Sequence, residues 1–239
     1  MTERVVAIIQ ARMGSQRFPG KMMEPLEGEP LMAWVLRRCL RAQRLDGVVL
    51  ATTKHERDDV LCAQAEHLGV PVYRGSEADV LARYDEAAAE AQADIVVRIC
   101  ADRPLVAPEV VDLAVKTFQD QRPDLAYNHI SGGGQRWPRG FGAEVLSREL
   151  LHWLAVNTTQ QAHREHVTLY VWDRREDYDL LAVPCPDDID PGEPDIALDV
   201  DHPADLERLR EICAGCDIAS PAGAIMARWR QWRAAHAAA

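Results

Sequence analysis

The chain has 239 residues, 47% of them hydrophobic, which suits one large globular domain or a domain carrying an insertion. A formal charge of -11 argues against a nucleic-acid surface, which needs a basic face to displace phosphate counterions. No apolar run is long enough to span a bilayer.

The chain begins Met1-Thr2-Glu3-Arg4 and enters an apolar run without the pattern of a secretory leader. Its six cysteines are scattered (Cys39, Cys62, Cys100, Cys185, Cys213, Cys216), so reduced thiols and a cytoplasmic setting are expected. Cys213-Ala-Gly-Cys216 has no second pair at zinc spacing and is not expected to bind metal.

Val5 to Ile9 is a continuous β-branched run, as in a strand buried on both faces. A loop follows to about Lys21. No carboxylate lies between Glu3 and Glu24, whereas Arg4, Arg12, Arg17 and Lys21 do. A short basic loop in an acidic chain suits a small polyanion. Leu31, Trp34, Val35, Arg38 and Cys39 then recur at helical spacing, and Val48 to Thr52 forms a second strand. Asp58 to Leu68 reads as a helix, Val70 to Tyr73 as a strand, Ala78 to Ala91 as a helix and Ile95 to Ile99 as a buried strand. Helix Pro108 to Asp120 and strand Leu125 to Asn128 continue the alternation. Strands alternating with helices predict right-handed crossovers and an α/β fold with a mostly parallel sheet.

From Ser131 to about Pro194 the rhythm breaks, and an inserted substrate and dimerisation lobe is expected within a single domain. Leu150, Leu151, Trp153, Leu154 and Val156 give it apolar surface for a homodimer contact. Ile196 to Asp201 reads as a last strand, and Pro203 opens a helix through Leu206, Leu209 and Ile212. From about Gly223 a C-terminal helix stacks Ile225, Trp229 and Trp232, and Ala237 to Ala239 is expected to fray. His129, His152, His202 and His236 have no partner at ligand spacing, and Trp34 and Trp137 read as core.

Ligands of such sheets bind at the carboxyl ends of the strands. That rule selects the loop after Ile9, the segment after Leu50, the turn Cys100-Ala-Asp-Arg-Pro and the end of Asp199-Val-Asp201. The loop from Gln10 to Lys21 is not a P-loop: five residues separate Gly14 from Gly20, and Met22 stands where Ser or Thr should follow the lysine. Its chemistry is still that of a phosphate cradle, with small residues opening backbone N–H groups and Arg12, Arg17 and Lys21 supplying charge.

Ala11-Arg-Met-Gly-Ser-Gln-Arg-Phe-Pro-Gly-Lys21 resembles the signature loop of the cytidylyltransferases that activate sugar acids. Arg74 to Arg83, Val97 to Leu105, Pro138-Arg-Gly140 with Glu144, and Arg164 to Thr168 are similar to their relatives in spore-coat polysaccharide biosynthesis. The resemblance covers residues 4 to about 210. It implies a Rossmann-like nucleotidyltransferase fold and transfer of CMP from CTP to a sugar acid or a phosphorylated or phosphonate acceptor. It implies that Ala11, Arg12, Gly14, Ser15, Arg17, Lys21, Thr52, Thr53, Ser76, Asp79 and Ala101 bind the nucleotide, with Arg12 and Lys21 catalytic. It further implies that Arg139, Glu144, Arg164, Glu165 and His166 face the acceptor, and that Asp102 and Asp201, with Asp199 as a third ligand or a group behind them, hold Mg²⁺, whose hard charge suits carboxylates. Two rival readings are a metal-dependent glycosyltransferase using Asp199-Val-Asp201 and a nucleotide-binding protein without turnover. The position of Asp199-Val-Asp201 late in the chain speaks against the first, and the presence of Lys21, Asp102 and Asp201 against the second.

Overall fold

The computed structural model describes residues 2–194 and 196–236. Its centre is a seven-stranded sheet. Strand β1 (Val5–Gln10) is followed by a loop, a 3-10 turn (Lys21–Met23) and a small hairpin of β2 (Pro25–Leu26) and β3 (Glu29–Pro30). Glu27 and Gly28 both take positive φ (47° and 83°) at the hairpin turn, the backbone that lets two strands reverse with a matching twist. The chain then runs through α1 (Leu31–Cys39), β4 (Gly47–Thr53), α2 (Asp59–His67), β5 (Val72–Gly75), α3 (Val80–Glu90), β6 (Ile95–Cys100), α4 (Pro108–Gln121) and β7 (Leu125–Tyr127). β8 (Glu144–Ser147), α5 (Arg148–Asn157), α6 (Gln161–Glu165), α7 (Leu169–Asp173) and β9 (Leu180–Ala182) follow. Helices α8 (Pro203–Ile212) and α9 (Ala222–His236) close the chain.

Strand order is β5-β4-β1-β6-β8-β7-β9. β5, β4, β1 and β6 are parallel, β8 is antiparallel to both neighbours, and β9 runs parallel to β7. The alternation of side chains gives the sheet two apolar faces. Val5, Ala7, Ile9, Val97 and Ile99 pack with Trp34, Leu61, Val111, Leu206 and Ile225 on one side, from α1, α2, α4, α8 and α9. Val6, Ile8 and Val96 pack with Tyr84, Leu151, Leu154 and Val171 on the other, from α3, α5 and α7. Trp34 and Trp137 are buried as expected, and their indole nitrogens donate to the carbonyls of Leu26 (2.6 Å) and Val183 (2.7 Å). Arg38, fully buried in α1, donates to the carbonyls of Val106, Ile218 and Ser220 and so ties the segment before α9 to the body.

Two stretches differ from expectation. Residues 131–194, expected as an inserted lobe, place β8 in the middle of the main sheet and β9 at its edge, with α5 and α7 on one face. Asp195, near the end of that stretch, and the terminal Ala237 to Ala239 lie outside the described residues. Ile196 to Asp201 is not a ladder strand. Its amides and carbonyls are divided between two loops: Arg139 N donates to Ile196 O, Leu198 N to Arg139 O and Val200 N to Asp102 O, each at 2.8 Å. Gly140 makes room for this crossing, since at φ 115° a Cβ there would lie 2.5 Å from the Leu198 carbonyl oxygen.

Candidate active site

A cleft with a volume of about 500 Å³ opens at the carboxyl ends of β1 and β6, as the topology rule requires. The loop after β1 forms one wall. Its path is held from below by Asp58, a fully buried carboxylate that accepts from Met13 N (2.8 Å) and from the Thr53 hydroxyl. Within the loop, Ser15 N and Gly20 N donate to the Met13 carbonyl at 3.0 and 3.2 Å, and Ser15 Oγ accepts from Phe18 N. Gly20, at φ 79°, turns the chain into the 3-10 turn that begins with Lys21, a conformation that costs a glycine little.

Lys21 is only 6% exposed. Its Nζ donates to the Val200 carbonyl at 2.6 Å and stands 3.3 Å from Asp201 Oδ1 and 3.5 Å from Asp102 Oδ2. Arg17 reaches the same Asp201 oxygen at 2.8 Å. The structure therefore brings Arg17, Lys21, Asp102 and Asp201 together, and Ala11, Arg12, Ser15 and Ala101 line the same cleft. Arg12 lies 3.8 Å from Glu77, a carboxylate it shares with Arg57 and His55. Gly14 sits beneath this group, where a Cβ would come 2.8 Å from Arg57 Nη2. Glu165 and His166 also line the cleft.

Other expected residues are placed elsewhere. Thr53 gives its hydroxyl to Asp58, while the Thr52 hydroxyl is buried with no partner among the described residues. Ser76 Oγ accepts from Asp79 N, and Asp79 caps α3 by accepting from Ala82 N at 2.9 Å. Arg164 grips that same Asp79 carboxylate, with Nε 3.0 Å from each oxygen and Nη2 2.5 Å from Oδ2, and also donates to backbone carbonyls of Ala155 and Thr158. Asp79 and Arg164 thus join α3 to α6 rather than facing the cleft. Arg139 pairs with Asp199 at 3.5 Å, outside the cleft lining. Burial pushes the Asp199 carboxyl above its usual range, with Arg139 opposing. Because 196–201 is not a regular strand, Asp199 does not share the partners of Asp201 that a two-residue period would give it.

Glu144, expected at the acceptor, is fully buried behind the cleft. It accepts from Thr168 Oγ1 (2.8 Å), from Trp172 Nε1 (3.0 Å) and from Arg98 Nη1. Burial would raise its pKa, but His129, Arg98 and the Trp172 hydrogen bond outweigh burial and hold it below the carboxylate range. Asp58, Arg83, Arg98 and Gln10 are site residues that motif reading passed over; the last three line the cleft. A signal for Arg98 existed, since it is the one charge in the apolar run Ile95-Val-Val-Arg-Ile-Cys100.

The cytidylyltransferase family model matches residues 6–214. The chain belongs to the cytidylyltransferase family. Among its relatives, the spore coat polysaccharide biosynthesis protein SpsF of Bacillus subtilis is 30% identical over 213 residues, covering 87% of this chain and 85% of that protein. A 3-deoxy-manno-octulosonate cytidylyltransferase of Anaeromyxobacter is 38% identical over 119 residues, 48% of this chain and 47% of that one. A solved cytidylyltransferase from Leptospira borgpetersenii superposes with a TM-score of 0.88 at 28% identity, covering 98% of this chain and 96% of that one. The superposition over nearly the whole chain gives it the cytidylyltransferase fold. Among the described residues, no helix of this family member is long and apolar enough to cross a membrane.

Proposed function

We propose that the chain transfers CMP from CTP to an acidic acceptor, a sugar acid or a phosphorylated or phosphonate small molecule, and releases pyrophosphate. The observation that carries this reading is the meeting of the basic loop with Asp102 and Asp201 across one cleft. Names of relatives point to a role in surface polysaccharide or glycoconjugate synthesis.

Arg12, Arg17 and Lys21 would neutralise the triphosphate and hold its α-phosphorus in line with the acceptor oxygen, with no covalent enzyme intermediate. Among the described residues there is no cluster of three or more His, Cys, Asp or Glu placed for a metal. Two carboxylates fit Mg²⁺ nonetheless, because this ion keeps waters and takes further ligands from substrate phosphates. Asp102 and Asp201 are partly exposed to the cleft, at 32% and 29% of their side chains, and would hold it. Bound there, the ion would supply charge neutralisation at the reacting phosphate. Lys21 lies within 3.5 Å of both aspartates, so its charge offsets the repulsion between them. Glu165 and His166 would face the acceptor. The rival glycosyltransferase reading requires Asp199 and Asp201 to act as a pair, and the pairing of Asp199 with Arg139 favours the nucleotidyl reading.

We also propose a homodimer through α5. Leu151 and Leu154 are buried in the core, but Trp153 and Val156 remain 43% and 64% exposed. Mass spectrometry of a mixture of protein, CTP, Mg²⁺ and candidate acceptors tests the activity: a CMP-acceptor adduct is expected, and its absence with every acceptor would count against it.

A further inference from the structure

The cleft has a second set of cations, on its floor rather than in its loop. Arg83 of α3 and Arg98 of β6 both line it. Arg83 is 2% exposed. It donates from Nη1 to the Ser76 carbonyl at 2.6 Å, its Nε has no partner, and among the described residues it forms no ion pair, Asp58 and Glu77 acting on it only from beyond that distance. Burying a charge without a counter-charge is costly, and folded proteins keep such groups paired. Arg98, whose side chain is 11% exposed, gives Nη1 to Glu144 and Nη2 to Cys100 Sγ at 3.6 Å, and its Nε also has no partner. Gln10, opposite Cys100 and diagonal to Arg98 on the same face of the sheet, has a buried Oε1 without a partner. Two buried guanidinium groups, each with an unmatched Nε, thus line one cavity.

Resting on the cytidylyl-transfer reading, we infer that Arg83 and Arg98 form an oxyanion subsite for the acceptor, separate from the loop cations Arg12, Arg17 and Lys21. Its ligand is the carboxylate, phosphate or phosphonate of the acceptor. A guanidinium meets such oxygens with two parallel N–H groups, which orients a flat or tetrahedral anion as well as attracting it. Glu144 is the positioning residue of this subsite. Held by Thr168 and Trp172, it fixes Arg98 and offsets part of its charge, leaving Arg83, which has no ion-pair partner among the described residues, as the cation that the acceptor neutralises.

The test saturates the protein with CTP, which takes up the loop cations, and titrates in inorganic phosphate or pyruvate by calorimetry. Saturable binding of at least one of these probes is expected, and the tighter of the two tells a phosphoryl acceptor from a carboxylate one. Arg83→Met should weaken that binding at least tenfold while CTP affinity changes less than about twofold. Arg83→Lys keeps the charge and should lose less. Arg98→Gln alone strands Glu144, so Arg98→Gln/Glu144→Gln is the informative variant, with the same expected loss. CTP affinity falling as far as probe affinity would overturn the inference, placing the arginines at the nucleotide. So would probe binding that is absent from wild type or unchanged in the variants. Wild type that binds the probe yet makes no CMP adduct would refute cytidylyl transfer and leave the subsite standing.

Discussion

The Val200 amide donates to the Asp102 carbonyl at 2.8 Å, and this one backbone bond seats the turn after β6 beside the segment that ends in Asp201. Lys21 then reaches both carboxylates. If the pair holds the catalytic cation, Asp102→Asn and Asp201→Asn should each lower turnover at least a hundredfold with CTP still bound, and the double variant should be little worse than either, since groups acting as a unit are not additive. Turnover and Mg²⁺ titrations read this; near-normal turnover in one variant removes that aspartate from the site.

The Asp79–Arg164 pair makes a different demand. Asp79→Ala removes the cap of α3 and the partner of Arg164 together, and loss of such a cap costs about 1–2 kcal/mol. Thermal unfolding should show that loss while the KM for CTP stays within about twofold of wild type. A large rise in KM with unchanged stability would return Asp79 to the nucleotide.

Much of this was legible beforehand, and the limits have physical causes. The alternation from Val5 to Tyr127 shows in the sequence because each buried strand is a short β-branched run and each helix repeats its apolar side chains every three or four residues. β8 escapes that reading, as its partners β6 and β7 are antiparallel neighbours reached through a long glycine-rich connection. The basic loop stood out by charge and by its position after a strand, whereas the roles of Asp102 and Asp201 came from the family resemblance and the segment before Asp201 proved not to be a ladder strand. Thr53, Asp79 and Arg164 looked alike whether they face a ligand or one another, because a hydroxyl or carboxylate near a helix start suits both uses and the Arg164–Asp79 contact spans 85 residues. Arg83 could be seen only once its burial without an ion pair was known.

Acid should weaken the fold through His129, which lies 3.7 Å from Glu144 and is 8% exposed. Burial above all, with Arg103 and Arg98 adding to it against Glu144, pushes its imidazole down to about 3 from 6.5. Between those values the unfolded chain binds a proton that the folded chain does not, so stability falls as pH falls through the window. His129→Gln should flatten the Tm-versus-pH curve below 6.5 relative to wild type. Parallel curves in calorimetry would mean that His129 is not the group responsible.

If α5 carries the dimer contact, light scattering at micromolar concentration should give twice the chain mass of 26.7 kDa, and Val156→Asp combined with Trp153→Asp should give the monomer. A wild-type monomer would refute the contact.

Pyrophosphate release tests the central claim most directly. CTP, UTP, ATP and GTP are each incubated with the protein, Mg²⁺ and a panel of sugar acids and phosphorylated or phosphonate acceptors. Release is predicted with CTP and an acceptor together, far above any other nucleotide, and should stop when a chelator removes the cation. Equal or greater release with another nucleotide, or none with CTP across the panel, would contradict it.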